Sequence, residues 1–237
     1  MELVITGGSG EIGRALVARA VADGRQVLNL DLKKPDVALA GETFLEVDLT
    51  DEAALRNLIG ILVEQHDVAG LVNNAGIVRP APVESATTDD LDAVVAVNLR
   101  APLILAQGVL PAMRARRFGR IVNIASRAAL GKADRSVYSA TKAGLIGMTR
   151  TWALETAADG ITVNVVSPGP IATGLFDKVN PPGAPRTEEI IQSVPVKRMG
   201  TPDDIAHGVA FFLDERAGFV TGQNMNLCGG MTVGVAA

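Results

Sequence analysis

The sequence predicts an α/β protein, a single domain built on a doubly wound parallel sheet, and three observations carry that expectation. Short β-rich runs alternate with longer stretches of helical period along most of the chain. A glycine-rich turn follows the first run and opens the first helix. Apolar residues make up 48% of the chain and aromatics only 3%, so the core must be assembled from Ala, Val, Leu and Ile. That composition suits helices packed closely on both faces of a buried sheet. A chain of 237 residues can bury such a core without dividing into further domains.

Leu3 to Thr6 reads as the first strand and Ile12 to Ala22 as its helix. Gln26 to Leu30 and Thr43 to Val47 follow as strands, then Glu52 to Glu64 as a helix and Gly70 to Asn73 as a strand. A long helical stretch from about Asp89 to Arg116 precedes a strand at Arg120 to Ala125. Tyr138 to Ala157 has helical period, and Thr162 to Ser167 closes the regular alternation as a strand. Repeated β-α units require right-handed crossovers and therefore a parallel sheet, whose ligands bind at the carboxyl ends of its strands. Leu175 to Gly200 breaks the pattern around Asn180-Pro181-Pro182-Gly183-Ala184-Pro185. Such a proline-rich insertion is not expected to form a core element, and a substrate lid is expected at about 175–200.

Net charge is −4. The one basic run, Met113-Arg114-Ala115-Arg116-Arg117, is expected to be the last turn of a helix rather than a nucleic-acid surface. A single cysteine, Cys228, excludes an intramolecular disulfide, and with His66 and His207 scattered no metal site is expected. No uninterrupted apolar run approaches the roughly 18 residues of a spanning helix. The chain opens on strand-like Glu2 to Thr6, so no leader and no membrane partner are expected, and the cytoplasm is the expected compartment.

Tyr138 is the only tyrosine, and Lys142 stands one helical turn beyond it. A nearby ammonium favours the ionised phenol, which suits a group that gives or takes a proton. Ser126, at the end of an apolar run, supplies a second hydroxyl. Thr6-Gly7-Gly8-Ser9-Gly10-Glu11-Ile12-Gly13 follows a strand and opens a helix, the context in which backbone N–H groups approach a pyrophosphate. Asp31 ends the second strand, where a carboxylate accepts from both ribose hydroxyls and repels a 2′-phosphate. NAD is therefore the expected cofactor, although Lys33 and Lys34 stand close enough to soften that preference.

These motifs, with Asn73-Asn74-Ala75-Gly76, Asn98, Pro168-Gly169, Thr221-Gly222-Gln223 and Gly229-Gly230 in order, resemble the short-chain dehydrogenase/reductase family from end to end. Among single-domain members the chain looks most like 3-oxoacyl reductases and secondary-alcohol dehydrogenases. The resemblance implies a doubly wound Rossmann fold, with a seven-stranded, mostly parallel sheet and helices on both faces. It implies that Tyr138 is the general acid/base, that Ser126 hydrogen-bonds the reacting oxygen, and that Lys142 lowers the Tyr138 pKa and holds the nicotinamide ribose. Asn98 would position a water behind Lys142. Gly7, Ser9, Gly10, Glu11, Ile12 and Gly13 would bind the cofactor, as would Asp31, Asp48 with Leu49 at the adenine, Asn74, Ala75 and Gly76 along the cleft, and Pro168, Ile171 and Thr173 near the carboxamide. A homotetramer is implied, pairing the helix that ends near Arg116 with the one carrying Tyr138.

Three departures stand out. Glu11 occupies the position of the family's middle glycine, and a carboxylate there suits a pyrophosphate only if it points away. The interval from Asp31 to Asp48 leaves little room for the usual helix between strands two and three. The interval from Ser126 to Tyr138 is one residue shorter than the common spacing. The sequence supports an NAD(H)-dependent oxidoreductase acting on a secondary alcohol or ketone. The alternatives are an NADPH-dependent 3-oxoacyl reductase, a non-catalytic dinucleotide sensor, or a nucleotide-sugar epimerase or dehydratase, which would need a further substrate domain. Arg79, Arg127, Lys132 and Arg135 fall near the expected cleft as candidates to meet an anionic substrate group. Leu130, Leu175 and Phe176 are candidate apolar walls.

Overall fold

Seven strands form one sheet in the order β3-β2-β1-β4-β5-β6-β7 in a computed structural model, which describes residues 2–174, 176, 180–181 and 183–233. The strands are β1 (Glu2–Thr6), β2 (Gln26–Asp31), β3 (Glu42–Glu46), β4 (Val68–Asn73), β5 (Gly119–Ile124), β6 (Ile161–Pro168) and β7 (Asn224–Leu227). Every neighbouring pair is parallel, so the mostly parallel sheet expected is wholly so. Winding reverses between β1 and β4, which places a crevice at their carboxyl ends, beside Gly7 and Asn74.

Helices cover both faces. Leu16 and Val17 of α1 (Glu11–Ala22) and Val209 and Phe212 of α7 (Pro202–Leu213) pack with Leu3, Ile5 and Val122 on one side. Leu55 and Ile59 of α2 (Glu52–Gln65) and Leu105 and Met113 of α4 (Ala101–Arg116) fill the other with Val4, Leu71 and Val163. Trp152 of α5 (Ser136–Thr156) is buried in that second layer, and Met148 packs against the same cluster. Strands rich in aliphatic side chains and buried on both faces leave no polar face from which to build an antiparallel edge.

The long helix is interrupted. After α3 (Thr88–Val95), residues Ala96–Arg100 form a π turn in which the Ala101 N–H reaches Ala96 O, and the inserted residue rotates Asn98 fully into the interior. Thr88–Arg116 is long and apolar enough to cross a membrane, but more than half of it is buried within the fold, as in a core helix. The basic run does end this helix: Arg117 adopts a left-handed conformation, Arg114 pairs with Asp159, and Arg116 pairs with Asp67. Residues 32–41 connect β2 to β3 without a helix.

The proline-rich segment does form a helix, α6 (Pro185–Ser193). Pro185 sits at its first position, where the missing N–H would have no helical acceptor, so the prolines start this surface helix rather than forbid it. The segment is pinned at its base by hydrogen bonds from Ala172 N–H to Gly200 O and from Gly200 N–H to Pro170 O. Leu175 lies outside the described residues.

Candidate active site

The phosphate loop is shaped by close backbone approach. A Cβ on Gly13 would lie 1.9 Å from Gly7 O, and one on Gly8 would strike the Asn29 side chain at 2.3 Å. Gly7, at φ +66°, sits against Ala75 and Asn74. Asn74 donates to Thr6 O and Gly7 O at 3.0 Å, while Thr6 Oγ1 accepts from the Asn74 and Ala75 N–H groups. The end of β4 therefore holds the end of β1 at the crevice.

Gly10 begins α1 without a side-chain cap, whereas Asp51, Thr87 and Thr201 cap α2, α3 and α7. Among the described residues, no protein acceptor meets the Glu11, Ile12 or Gly13 N–H. An uncapped helix end beside glycines too crowded for side chains fits a dinucleotide pyrophosphate. Glu11 does point away from the loop: both its carboxylate oxygens accept the Gly174 N–H at 2.8 Å.

Asp31 ends β2 with Oδ2 accepting the Ser9 N–H at 3.0 Å and Oδ1 the Lys33 N–H at 3.2 Å. Ser9 is tied further to Asn29, whose amide bonds Ser9 Oγ and Glu42 Oε1. The Glu42 side chain is completely buried and pairs with Arg14 at 2.6 Å. Burial works against its ionisation, but hydrogen bonds from Arg14, Leu39 and Asn29 outweigh it and hold the carboxyl below its usual value. Arg14 also donates to Val37 O, so both ends of its guanidinium are committed. The sequence reading missed this chain; a polar Asn29 within Gln26-Val27-Leu28-Asn29-Leu30 was its signal. Asp48 turns back on Thr50, which donates from both N–H and Oγ1 at 2.8 Å, and Leu49 is buried beside it.

At the other end of the crevice, Asn98, Ser126, Tyr138 and Lys142 come together around the carboxyl ends of β4 and β5. Asn98 Oδ1 accepts the Ile77 N–H, and its amide donates to Ile77 O and Thr141 Oγ1, all within 3.1 Å. Thr141 in turn donates to Tyr138 O. The Asn98 side chain is thus consumed in joining the end of β4 to α5, and it has no donor to spare for a water. Lys142 Nζ is buried, donates to Ile124 O at 2.8 Å, and lies 5.6 Å from the Tyr138 ring centroid. A Cβ on Gly76 would come within 3.2 Å of Nζ, so glycine there keeps the lysine's surroundings open.

Burial pushes Lys142 down to about 8. Burial also raises Tyr138 above its ordinary value, against smaller opposing effects of the Ser126 hydroxyl and Arg135. This corrects the expectation that Lys142 lowers the phenol's pKa: desolvation dominates, and the lysine is directed to Ile124 O. Ser126 Oγ accepts the Ala128 N–H, which fixes the hydroxyl at the start of a short 3₁₀ turn. Ile171 is buried and bridges to Gly200, and Thr173 Oγ1 accepts the Phe176 N–H.

Around the mouth, burial and then the like charges of Arg135, Arg127 and Arg186 hold the Lys132 ammonium below its ordinary value. Arg186, on α6, was not singled out from sequence because only folding brings it to this rim. Leu130 is 73% exposed here and free to act as an apolar wall.

A family model described as enoyl-(acyl carrier protein) reductase matches residues 8–232. Acetoacetyl-CoA reductase of Shinella zoogloeoides is 38% identical over 96% of both chains. The 3-oxoacyl-[acyl-carrier-protein] reductase of Rickettsia conorii is 37% identical over 96% of this chain and 95% of its own. The chain belongs to the short-chain dehydrogenase/reductase family. The crystal structure of levodione reductase superposes at a TM-score of 0.89, with 32% identity and 98% of each chain covered. An NAD(P)-dependent gluconate 5-dehydrogenase assignment from Beutenbergia cavernae, with NADP bound at low occupancy, gives 0.91 at 29% identity, covering 98% of this chain and 97% of its own. As a family member this chain is an oxidoreductase that binds a nicotinamide dinucleotide.

Proposed function

We propose that this oxidoreductase uses NAD(H) to interconvert a secondary alcohol and a ketone, with Tyr138 as general acid/base. The observation that carries the chemistry is the meeting of the Tyr138 phenol, the Ser126 hydroxyl and the buried Lys142 at one end of a crevice whose other end is an uncapped helix. A bound dinucleotide supplies the hydride donor or acceptor. Tyr138 gives its phenolic proton to the carbonyl oxygen during reduction and takes a proton from the alcohol during oxidation. Ser126 donates a hydrogen bond to that oxygen, where charge develops in the transition state. Lys142 would hold the nicotinamide ribose, and Asn98 acts by fixing the Ile77 backbone and α5.

Asp31 supports NAD(H). Its carboxylate is held in place by Ser9 and Lys33 N–H groups, and the nearest arginine on α1, Arg14, is bound to Glu42 and Val37. A 2′-phosphate would meet a carboxylate with no uncommitted arginine from α1 to offset it. The second reading, an NADPH-dependent 3-oxoacyl reductase, is favoured by two relatives named for thioester substrates and by the NADP in the Beutenbergia structure. Arg127, Lys132, Arg135 and Arg186 favour an anionic group on the substrate under either reading.

The segment at about 175–200 acts as the substrate lid. A homotetramer is the proposed assembly, consistent with exposed Leu103 on α4 and Leu154 on α5, and the cytoplasm is the proposed compartment. The test is a panel of neutral and carboxylated ketones and alcohols, assayed with both cofactors. The expected outcome is turnover with a lower KM for NADH than for NADPH; a preference for NADPH refutes the Asp31 assignment.

A further inference from the structure

Glu11 stands where the phosphate loop meets a dinucleotide, and its carboxylate is engaged 163 residues away in sequence. Both oxygens take the single Gly174 N–H at 2.8 Å. A Cβ on Gly174 would lie 2.8 Å from Glu11 Oε1, so the Glu11 carboxylate sits as close to the Gly174 backbone as a glycine permits. Gly174 follows Thr173, and the stretch before it is pinned by the Ala172–Gly200 and Gly200–Pro170 hydrogen bonds. Residues 171–174 are therefore held at both ends, at one by Gly200 and at the other by Glu11.

We propose that Glu11 is a positioning residue that straps Gly174 to the start of α1 and, through its charge, opposes the dinucleotide pyrophosphate at the first turn of that helix. The proposal rests on the dinucleotide reading of the site. Its carboxylate is one side chain's length from the Glu11, Ile12 and Gly13 N–H groups that have no protein acceptor among the described residues. A helix N-terminus favours either anion, but two anions in one turn repel each other. While the strap is made, the carboxylate holds residues 171–174 in place at the nicotinamide end of the crevice. When pyrophosphate arrives, the like charge weakens its hold, so the loop binds the dinucleotide less tightly than one with a neutral residue at this position.

The test uses NADH fluorescence titration together with hydrogen exchange at the Gly174 amide, neither of which requires a known substrate. Glu11→Gln and Glu11→Ala are expected to tighten NADH binding by roughly threefold to tenfold. In Glu11→Ala the Gly174 amide is expected to exchange at least about tenfold faster than in the wild type, as a hydrogen bond lost from an exposed site should. Glu11→Asp keeps the charge but shortens the reach. It should exchange as fast as Glu11→Ala while leaving the NADH Kd within about twofold of wild type. Unchanged exchange in Glu11→Ala overturns the strap, and unchanged or weaker NADH binding in Glu11→Gln overturns the charge opposition. If wild type and variants alike bind neither NADH nor NADPH, the dinucleotide reading itself fails, a result distinct from either.

Discussion

At the Tyr138 end of the crevice, Asn98, Thr141 and Lys142 direct side-chain hydrogen bonds to the protein, whereas at the phosphate-loop end the first N–H groups of α1 meet no protein acceptor among the described residues. The first end is cross-linked by the protein's own hydrogen bonds. Proton transfer needs its hydroxyls within hydrogen-bond reach of one oxygen, and a buried hydrogen-bonded network helps to fix such geometry. An uncapped helix end of this kind is suited to an anion such as a phosphate. The phosphate-loop end is supported from one layer further back, through Asn29, Glu42 and Arg14.

The largest break in this contrast is expected from Tyr138→Phe. It removes one oxygen at the cross-linked end and should lower kcat by about 10²- to 10⁴-fold. NADH affinity should stay within about twofold, since the phosphate loop is untouched. Equal turnover by the variant in a stopped-flow assay would show that the proton moves elsewhere.

Lys142 sharpens the contrast through pH. Its folded value of about 8 lies below the ordinary 10.5, so the buried ammonium opposes folding fully below pH 8. Unfolded chains bind more protons between about 8 and 10.5, and the opposition is relieved as pH rises through that window. Tyr138, whose value is raised, acts later, because its contribution begins only above its ordinary value of about 10. Denaturant melts of wild type and Lys142→Met, both without cofactor, should differ in a pH-dependent part on the order of 3 kcal/mol. A difference flat from pH 7 to 10 would mean that the lysine is not desolvated.

The smallest expected effect is at the supporting layer of the open end. Glu42→Gln keeps the shape but weakens the hold of Arg14 and Asn29 on Ser9. The KM for NADH should rise roughly threefold to tenfold with kcat nearly unchanged. A fall in kcat of similar size would show that this layer also reaches the Tyr138 end.

The alternation of strand and helix was legible because burying a parallel sheet between helices imposes short continuous apolar runs on the strands and a period of 3.6 on the helices, and both survive in one dimension. Observed boundaries lie within a residue or two of those read from the sequence for β1 to β6 and for α1, α2 and α5. The π turn was not legible, since one inserted residue within a long apolar helix leaves the surrounding period intact. Tyr138, Lys142 and Asp31 were legible from spacing. The direction of Glu11 was not, because side-chain torsions and a partner in a distant loop decide it. The reversed balance at Tyr138 was equally hidden: spacing brings the lysine near, but burial sets the sign.

The paired hydrogen bonds between Ala172 and Gly200 and between Gly200 and Pro170 bring two distant points of the chain together at the rim of the sheet. Whatever lies between them begins and ends at the same place, like a drawer set into a fixed frame. Evolution, or an engineer, can therefore exchange the intervening stretch for another of different length and side chains without moving β6 or α7. Such a stretch can thus vary while the sheet and helices that frame it stay constant.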